Sequence, residues 1–267
     1  MPRTIVFAHA NGFPAGTYRL LFEHWRAAGW TVLAPEKFGH DPRYPVSNNW
    51  PHLRDELIAF VQQRAGGGPV WLVGHSLGGY LALLAAAHRP DLAAGVLMLD
   101  APVVGGWRAH GLKLAKATGL MRRVSPGKTT YRRRPHWPSA ADAHRHFAAK
   151  QTFARWDPRV LADYIAAGTE PDPAGGARLT FRRETEAAIY DTLPHHVEAL
   201  LRRHRPSCPV RFIGGKESAE LRQAGLAATR RVTGGPIRWV DGGHLFPMEH
   251  PQAAAEAVLE EIASMAG

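Results

Sequence analysis

Short apolar runs alternate along this chain with longer segments in which apolar residues recur at helical spacing. Short runs bounded by Gly, Pro or Asp predict buried strands, which cover 4–8, 30–34, 69–73, 94–99, 209–215 and 236–241. Helical periodicity predicts helices over 18–28, 51–65, 81–87, 217–232 and 252–265. Because the two kinds of segment alternate with short connections, the pattern predicts parallel strands joined by right-handed crossovers, with helices on both faces.

This alternation is interrupted between residues 102 and 205, where the chain is rich in Arg and His and shows no clear strand. Amphipathic segments predict helices near 108–118, 139–149, 158–167 and 193–203. The basic stretch from Arg122 to Arg134 is expected to be a solvated surface. We therefore predict an α/β fold with a mostly parallel central sheet of about six strands flanked by helices. Residues 1–101 and 206–267 would form this core, and residues 102–205 would form a helical cap.

A Gly-x-Ser-x-Gly motif at 74–78, Gly-His-Ser-Leu-Gly, lies between a predicted strand and an Ala/Leu-rich predicted helix. A serine in such a strand-to-helix turn has its hydroxyl exposed at the carboxyl edge of the sheet, and side chains in place of the glycines would collide with neighbouring backbone. The N–H of Leu77, at the start of the helix, would point at an anion formed there. The motif in this context predicts that Ser76 is a nucleophile.

Three further segments follow predicted strands. The loop His-Ala-Asn-Gly-Phe-Pro at 9–14 follows the first strand, Asp100 follows the fourth, and Gly-Gly-His at 242–244 follows the last. Ligands of open parallel sheets bind where the carboxyl ends of the strands meet. We therefore expect Ser76, Asp100 and the 9–13 loop to lie at this edge.

Length and composition limit the classes of protein to which this chain can belong. The chain has 267 residues, of which 45% are hydrophobic, so it can bury a substantial α/β core. No apolar run approaches the length of a membrane span, and the N-terminus lacks the layout of a signal peptide. The single cysteine, Cys208, cannot form an internal disulfide, which fits a reducing compartment. We predict a cytoplasmic protein with no membrane partner.

The formal net charge is +10, and most of the basic residues are arginine. A basic surface can bind nucleic acid, but no nucleic-acid-binding motif accompanies the charge. We therefore predict a solvated basic surface and no nucleic-acid partner. The positive field would still attract an anionic small-molecule substrate. The oligomeric state stays open.

The motifs at 74–79 (Gly-His-Ser-Leu-Gly-Gly), 9–14 and 242–249 (Gly-Gly-His-Leu-Phe-Pro-Met-Glu) resemble those of the α/β-hydrolase family, and the resemblance extends over nearly the whole chain. It implies a mostly parallel sheet, a cap inserted after the strand that ends at Asp100, a serine nucleophile, a late histidine, and an acid between them in sequence. It also implies that the chain starts at the strand that is usually third, without the N-terminal hairpin of the family.

On this resemblance, Ser76 is the nucleophile and His244 is the base that accepts its proton. The acid that orients the imidazole is ambiguous. Many family members carry Asp in a Gly-x-x-Asp turn after the fifth predicted strand, and two ways of counting place Ser218 or Glu217 there. Asp100 is the alternative that some relatives use, and it follows the strand next to the one that bears Ser76. We place Asp100 ahead of Glu217.

The resemblance also implies an oxyanion hole formed by the backbone N–H groups of Leu77 and Asn11. The histidines of the cap are not at metal-ligand spacing, so we predict neither a metal nor another cofactor.

The function predicted from these residues is that of a serine hydrolase. Its substrate would be the carboxylic ester or thioester of a small, largely apolar molecule, cleaved through an acyl-enzyme. The epoxide- and haloalkane-cleaving relatives use Asp as nucleophile, so Ser76 argues against those activities. Two alternatives stay open: a hydrolase of a carbon–carbon bond next to a carbonyl, and a non-catalytic protein that binds a small ligand on the same fold.

Overall fold

The computed structural model describes residues 3–66, 68–121 and 125–266. Gly67, one of three glycines predicted to end the second helix, lies outside the described residues, as do Arg122 and Arg123 at the start of the basic stretch. No helix in the described ranges combines the length and apolar composition needed to cross a membrane.

Six parallel strands form the central sheet. The strands of the described chain are β1 (Thr4–Ala8), β2 (Thr31–Leu33), β3 (Val70–His75), β4 (Ala93–Leu99), β5 (His136–Trp137), β6 (Thr169–Pro171), β7 (Ala177–Leu179), β8 (Val210–Gly215) and β9 (Arg238–Val240). The central sheet has the order β2-β1-β3-β4-β8-β9, and each neighbouring pair is parallel. The predicted α/β fold class is confirmed.

Helices follow most of the strands. They are α1 (Arg19–Ala27), α2 (Pro51–Arg64), α3 (Leu77–His88), α4 (Gly106–Ala117), α5 (Gly127–Tyr131), α6 (Ala140–Ala148), α7 (Gln151–Ala154), α8 (Pro158–Gly168), α9 (Arg183–Asp191), α10 (Val197–Arg203), α11 (Ala219–Ala224), α12 (Ala227–Thr233), α13 (Phe246–Glu249) and α14 (Pro251–Ala266). The helix predicted over 217–232 is divided into α11 and α12, because Gly225 between them adopts a φ of 73° that no helix residue has.

Both faces of the sheet are covered, and this explains why its strands are continuous apolar runs. In β1, Ile5 and Phe7 pack into the apolar cluster that includes α1 and α14. Val6 and Ala8 point to the opposite face, into the cluster that includes α2 and α3. The alternation of side chains along a strand therefore supplies two cores from one apolar run.

The segment 102–205 contains α4 to α10 and also a small antiparallel sheet with the order β5-β7-β6. The expectation that this segment has no strand is therefore wrong. These strands are two or three residues long, which is too short to produce a recognisable alternation of apolar and polar positions. The division into a core and a cap at these boundaries stays a prediction.

Aromatic side chains fill the interior of this segment. Trp137, Trp156 and Tyr164 are buried and share an apolar cluster with Phe147, whose ring lies 5.4 Å from that of Trp137 and 5.1 Å from that of Tyr164. Trp107, in α4, is instead 73% exposed. The three buried rings therefore hold the segment together.

The substitution Gly78→Ala tests the closest approach in the fold, because a Cβ on Gly78 would overlap the carbonyl of Ala8. We expect it to lower the free energy of unfolding by about 3 kcal/mol or more, measured by urea unfolding followed by circular dichroism. The matched control is Gly111→Ala in α4, where a Cβ would have no atom within 4 Å. That variant should be as stable as the wild type or more stable by about 1 kcal/mol, and equal stability of the two variants would contradict the close approach.

Candidate active site

Ser76 lies in the tight turn between β3 and α3. Its backbone has φ 52° and ψ −113°, a conformation that non-glycine residues rarely adopt. A Cβ on Gly74 would overlap the backbone of Gly78, and a Cβ on Gly78 would overlap Ala8. The two glycines therefore allow α3 to approach β1 and β3 closely enough to form this turn.

The register of β3 and β4 places Ser76 beside Asp100. His75 pairs with Leu99 in the parallel ladder, so the residues that follow them lie at the same level of the sheet edge. The N–H of Ser76 also donates to the carbonyl of Leu99 at 2.9 Å. Asp100 has a φ of 41°, which makes it a second strained residue at this edge. Such strain concentrates at functional sites.

His244, in the loop after β9, connects these two side chains. Its Nε2 lies 3.1 Å from Oγ of Ser76, and its Nδ1 lies 2.9 Å from Oδ1 of Asp100. Because a carboxylate only accepts hydrogen bonds, Nδ1 carries the proton and donates to Asp100. Nε2 then accepts a hydrogen bond from the Ser76 hydroxyl. This arrangement is able to activate a serine as a nucleophile.

Asp100 is fully buried, and its carboxylate is stabilised by three donors. The N–H of Gly215 donates to Oδ2 at 2.7 Å, and the hydroxyl of Ser218 donates to Oδ1 at 2.6 Å. His244 is the third donor. A buried charge needs such partners to offset its lost hydration. Ser218, which one counting of the family turn places at the acid position, thus supports the carboxylate of Asp100.

Glu217, the other acid considered for this role, and Asp241, which precedes the histidine loop, have different partners. Oε2 of Glu217 lies 2.7 Å from a guanidinium nitrogen of Arg155, and the Glu217 side chain is 61% exposed. Asp241 forms an ion pair with Lys216 at 2.6 Å, and its side chain is 75% exposed. Neither is hydrogen-bonded to the imidazole within the described part of the chain. The geometry favours Asp100 as the acid.

The charge around the imidazole favours its protonated form. Burial alone would lower the pKa of His244, but the hydrogen bond to Asp100 and the charges of Asp100 and Glu220 outweigh burial and raise the pKa above its ordinary value. These interactions therefore stabilise an imidazolium cation at His244.

Asn11 and Leu77 line the same cavity as Ser76. Leu77 is the first residue of α3, so its N–H has no acceptor within the helix. No acceptor for the N–H of Asn11 is found among the described residues. Two residues with unpaired backbone N–H groups, by the contacts of the described chain, thus border the cavity that contains Ser76.

The loop that carries Asn11 is held by α9. The side-chain nitrogen Nδ2 of Asn11 donates to the carbonyl of Glu186 at 2.9 Å. The Glu186 carboxylate packs directly against Gly12, where a Cβ would lie 2.7 Å from Oε1. Arg133 donates two hydrogen bonds to this carboxylate, at 2.6 and 3.2 Å. Burial raises the pKa of Glu186, and the charge of Arg133 works against that increase.

The sequence analysis identified neither Glu186 nor Arg133. Arg133 belongs to the basic stretch that was expected to be solvated, and for this residue the expectation is wrong, because its side chain is 16% exposed and paired. Glu186 lies on the buried side of α9 with Ala187 and Ile189. A charged residue on that side masks the apolar periodicity that would have predicted the helix.

His75 supports both loops at the site. The N–H of Ala10 donates to the Tyr18 hydroxyl at 3.1 Å, and that hydroxyl lies 2.8 Å from Nδ1 of His75. Nε2 of His75 lies 2.9 Å from the carbonyl of His244, so Nε2 carries the proton and Nδ1 accepts from Tyr18. Burial, reinforced by the nearby His244, lowers the pKa of His75 to about 3. His75 is therefore a neutral link between the first loop and the His244 loop.

Asp100, Glu220 and His244 offer ligand atoms within 4.8 Å of one another, a spacing that could hold a metal ion. Two of these groups are already bonded to each other, and Gly215 and Ser218 donate to Asp100 as well. Hydrogen-bond donors directed at a carboxylate stabilise it without a cation. The hydrogen bonds around these groups therefore fit a carboxylate paired with an imidazole. The absence of a metal cofactor stays a prediction.

Comparison of the chain with known proteins identifies its family. The chain matches the model of the alpha/beta hydrolase family over residues 5–257. It is 34% identical over 106 residues to the monoglyceride lipase of Homo sapiens, an alignment that covers 37% of this chain and 35% of that protein. It is 27% identical over 231 residues to the abhydrolase domain-containing protein AFT2-1 of Alternaria alternata, with 73% of this chain and 83% of that protein covered.

Among solved structures, E-2-(acetamidomethylene)succinate hydrolase is similar in fold, with a TM-score of 0.73 at 22% identity; 98% of this chain and 91% of that chain are covered. The chain belongs to the α/β hydrolase family. It spans less than half the length of the monoglyceride lipases that it matches.

The substitutions Asp100→Asn and Glu217→Gln distinguish the two acids. We expect Asp100→Asn to lower kcat/KM for a p-nitrophenyl ester by about ten-thousandfold, because an amide neither fixes the tautomer of His244 nor stabilises its charge. Glu217→Gln removes an exposed ion pair and should cost less than about tenfold. A larger loss in Glu217→Gln, with circular dichroism showing both variants folded, would assign the acid to Glu217.

The ion pair between Arg133 and Glu186 is tested by breaking it and then replacing it. Arg133→Met leaves a buried carboxylate without its cation and should lower the free energy of unfolding by about 3 kcal/mol. Adding Glu186→Leu removes the second charge and should recover most of that loss. Urea unfolding at pH 8, where a carboxyl group is more readily ionised, measures both effects. A single variant as stable as the wild type would show that the carboxyl group is hydrated or protonated once Arg133 is lost.

Proposed function

We propose that this protein is a serine hydrolase that cleaves the carboxylic ester or thioester of a small, largely apolar substrate through an acyl-enzyme. The observation that carries the proposal is the hydrogen-bonded chain Ser76–His244–Asp100 at the wall of a cavity of about 550 Å³. Asn11 and Leu77, whose backbone N–H groups have no acceptor among the described residues, line the same cavity. These are the parts that acyl transfer requires.

In the first half of the reaction, Oγ of Ser76 attacks the substrate carbonyl carbon while Nε2 of His244 takes the hydroxyl proton. The carbonyl oxygen becomes an oxyanion, which the N–H groups of Asn11 and Leu77 stabilise. Asp100 stabilises the imidazolium. When the ester bond breaks, the leaving oxygen or sulfur takes the proton from Nε2, and the acyl group stays on Ser76.

In the second half, water attacks the acyl carbon and gives a proton to Nε2 of His244. The bond to Oγ then breaks, Ser76 recovers its proton, and the carboxylic acid leaves. The two halves consume one water and release one alcohol or thiol and one acid. Each charge that forms in these steps has a group beside it that was in place before substrate bound, which limits the reorganisation required.

Family membership and the partial similarity to a protein named monoglyceride lipase support ester hydrolysis. The cleavage of a carbon–carbon bond next to a carbonyl would use the same side chains, and ligand binding without turnover would use the same cavity. The expectations of an anionic substrate, of no nucleic-acid partner and of a cytoplasmic location stay predictions.

A series of p-nitrophenyl esters tests the proposal. Wild type should hydrolyse them with an acyl adduct on Ser76 detectable by mass spectrometry, and Ser76→Ala should lower kcat by at least about thousandfold. Because His244 must be neutral to accept a proton and its pKa is raised, the rate should fall as pH drops through a value above 6.5.

A fluorophosphonate, which labels activated serines covalently, serves as the positive control on folded wild type. If the fluorophosphonate labels wild type but no ester is hydrolysed and no ester forms an adduct, ester hydrolysis is wrong and carbon–carbon cleavage takes its place. If the fluorophosphonate does not label Ser76 either, ligand binding without turnover takes its place.

A further inference from the structure

Two cavities of different chemistry meet at Ser76. Their shared walls are formed by Asn11, Ser76, Tyr190, Glu220 and His244. The apolar lobe has a volume of about 550 Å³, and most of its other walls are apolar, including Trp50, Leu112, Met121 and Ile189. Arg108 and Gln223 are polar residues of the same wall. The polar lobe has a volume of about 500 Å³, and its other walls include Gln151, Thr152, Arg155, Glu217 and Glu249.

The position of the imidazole decides which lobe receives which part of an ester. The leaving oxygen must take a proton from Nε2 of His244, so the alcohol must lie on the imidazole side of the reacting carbon. The polar lobe is bounded by Gly243 and Leu245, the residues on either side of His244. The apolar lobe is bounded by Leu77 and Tyr80 of α3, behind the nucleophile. His244 borders both lobes, but its neighbours Gly243 and Leu245 border only the polar lobe, which favours that lobe for the alcohol and the apolar lobe for the acyl group.

Most charges at the polar lobe are already paired. Arg155 contacts Glu217 at 2.7 Å and Glu249 at 3.2 Å. Glu249 also accepts a hydrogen bond from the N–H of Gly243 at 2.9 Å. These contacts hold together the outer wall of the lobe. The carboxylates of Glu217 and Glu249 in this wall are therefore already paired.

Glu220 is different, because its carboxylate lies at the junction of the two lobes. One of its oxygens is within 4.8 Å of a ring nitrogen of His244 and of an oxygen of Asp100. The Ser218 hydroxyl lies 3.4 Å from Oε2 of Glu220, but it donates its single proton to Asp100. Glu220 is an exposed residue, and no basic side chain within the described ranges forms an ion pair with it. A carboxylate offers only acceptors, so a group that contacts it must donate.

We propose that Glu220 selects the leaving alcohol, and this proposal rests on the proposed ester hydrolysis. The polar lobe takes a compact alcohol that presents a hydrogen-bond donor, a hydroxyl or a protonated amine, beside the ester oxygen. The apolar lobe takes the acyl chain. An alcohol with its own negative charge is disfavoured, because the charges of Glu220 and Asp100 repel it.

Four esters of butanoic acid separate these effects. The 2-hydroxyethyl and n-propyl esters have the same number of heavy atoms and differ in a terminal hydroxyl or methyl group. The 2-(dimethylamino)ethyl ester carries a cationic N–H donor at neutral pH, and the carboxymethyl ester carries a negative charge. A hydrogen bond to a charged group is worth about tenfold or more in kcat/KM. We expect both donor-bearing esters to exceed the propyl ester by that factor, and the carboxymethyl ester to be the poorest.

Two variants assign the preference to Glu220. In Glu220→Leu the ratio of kcat/KM for the hydroxyethyl and propyl esters should fall to about one, since the acceptor is lost. Glu220→Gln keeps an acceptor oxygen without the charge, so the hydroxyl preference should persist while the advantage of the cationic ester disappears and the carboxymethyl ester improves. If the Leu variant does not fold, the Gln variant decides. Glu23→Leu on the exposed side of α1, where the side chain is 54% exposed, is the control and should keep the wild-type ratios.

A wild type that prefers the propyl ester, or a preference unchanged in Glu220→Gln for the cationic and anionic esters, would overturn the assignment while leaving ester hydrolysis intact. If no ester is hydrolysed and no acyl adduct forms on Ser76, the proposed function itself fails.

Discussion

The parallel pairing of β3 with β1 on one side and β4 on the other is the constraint on which the site depends. It brings the loop after β1, the turn at Ser76 and the carboxylate of Asp100 to adjacent positions at one edge of the sheet. The pairing is close enough to require glycine at positions 74 and 78. β8 extends the same edge with the N–H and the hydroxyl that hold Asp100. His244 then returns across β8 from the outermost strand.

The segment 102–205 contributes buried residues that support the loop after β1. Asn11 and Glu186 are 175 positions apart in sequence, yet a hydrogen bond joins them, and the Glu186 carboxylate packs against the next residue of the loop. A buried ion pair with Arg133 fixes that carboxylate. The position of Asn11, and of its backbone N–H, therefore depends on α9, to which its side chain is hydrogen-bonded. A shift of α9 would move this donor, because side chains in a close-packed interior move together.

Charge acts on two length scales in this molecule. The net charge of +10 creates a field that attracts anions from a distance. At the reacting atoms, Asp100 and Glu220 are the nearest carboxylates, while Arg108 and Arg155 line the walls of the two lobes. Exposed charges farther away are screened within about 8 Å at physiological ionic strength. Long-range attraction and interactions at the reacting atoms can therefore have opposite signs, as the alcohol preference proposed for Glu220 requires.

The sequence by itself determined most of the sheet, most of the helices around it and the turn that carries Ser76. These features arise from apolar periodicity and from glycines at a tight turn, and both depend on residues that are neighbours in the chain. Local patterns did not predict β5, β6 and β7 of the segment 102–205, because these strands are too short. They did not predict α9 either, because a buried charge interrupts its helical pattern. The choice between Asp100 and Glu217 also needed the tertiary structure. Both residues follow strands at the same edge, and only the register of β4 between β3 and β8 shows which carboxylate is buried beside the imidazole and which is paired with Arg155 at the surface.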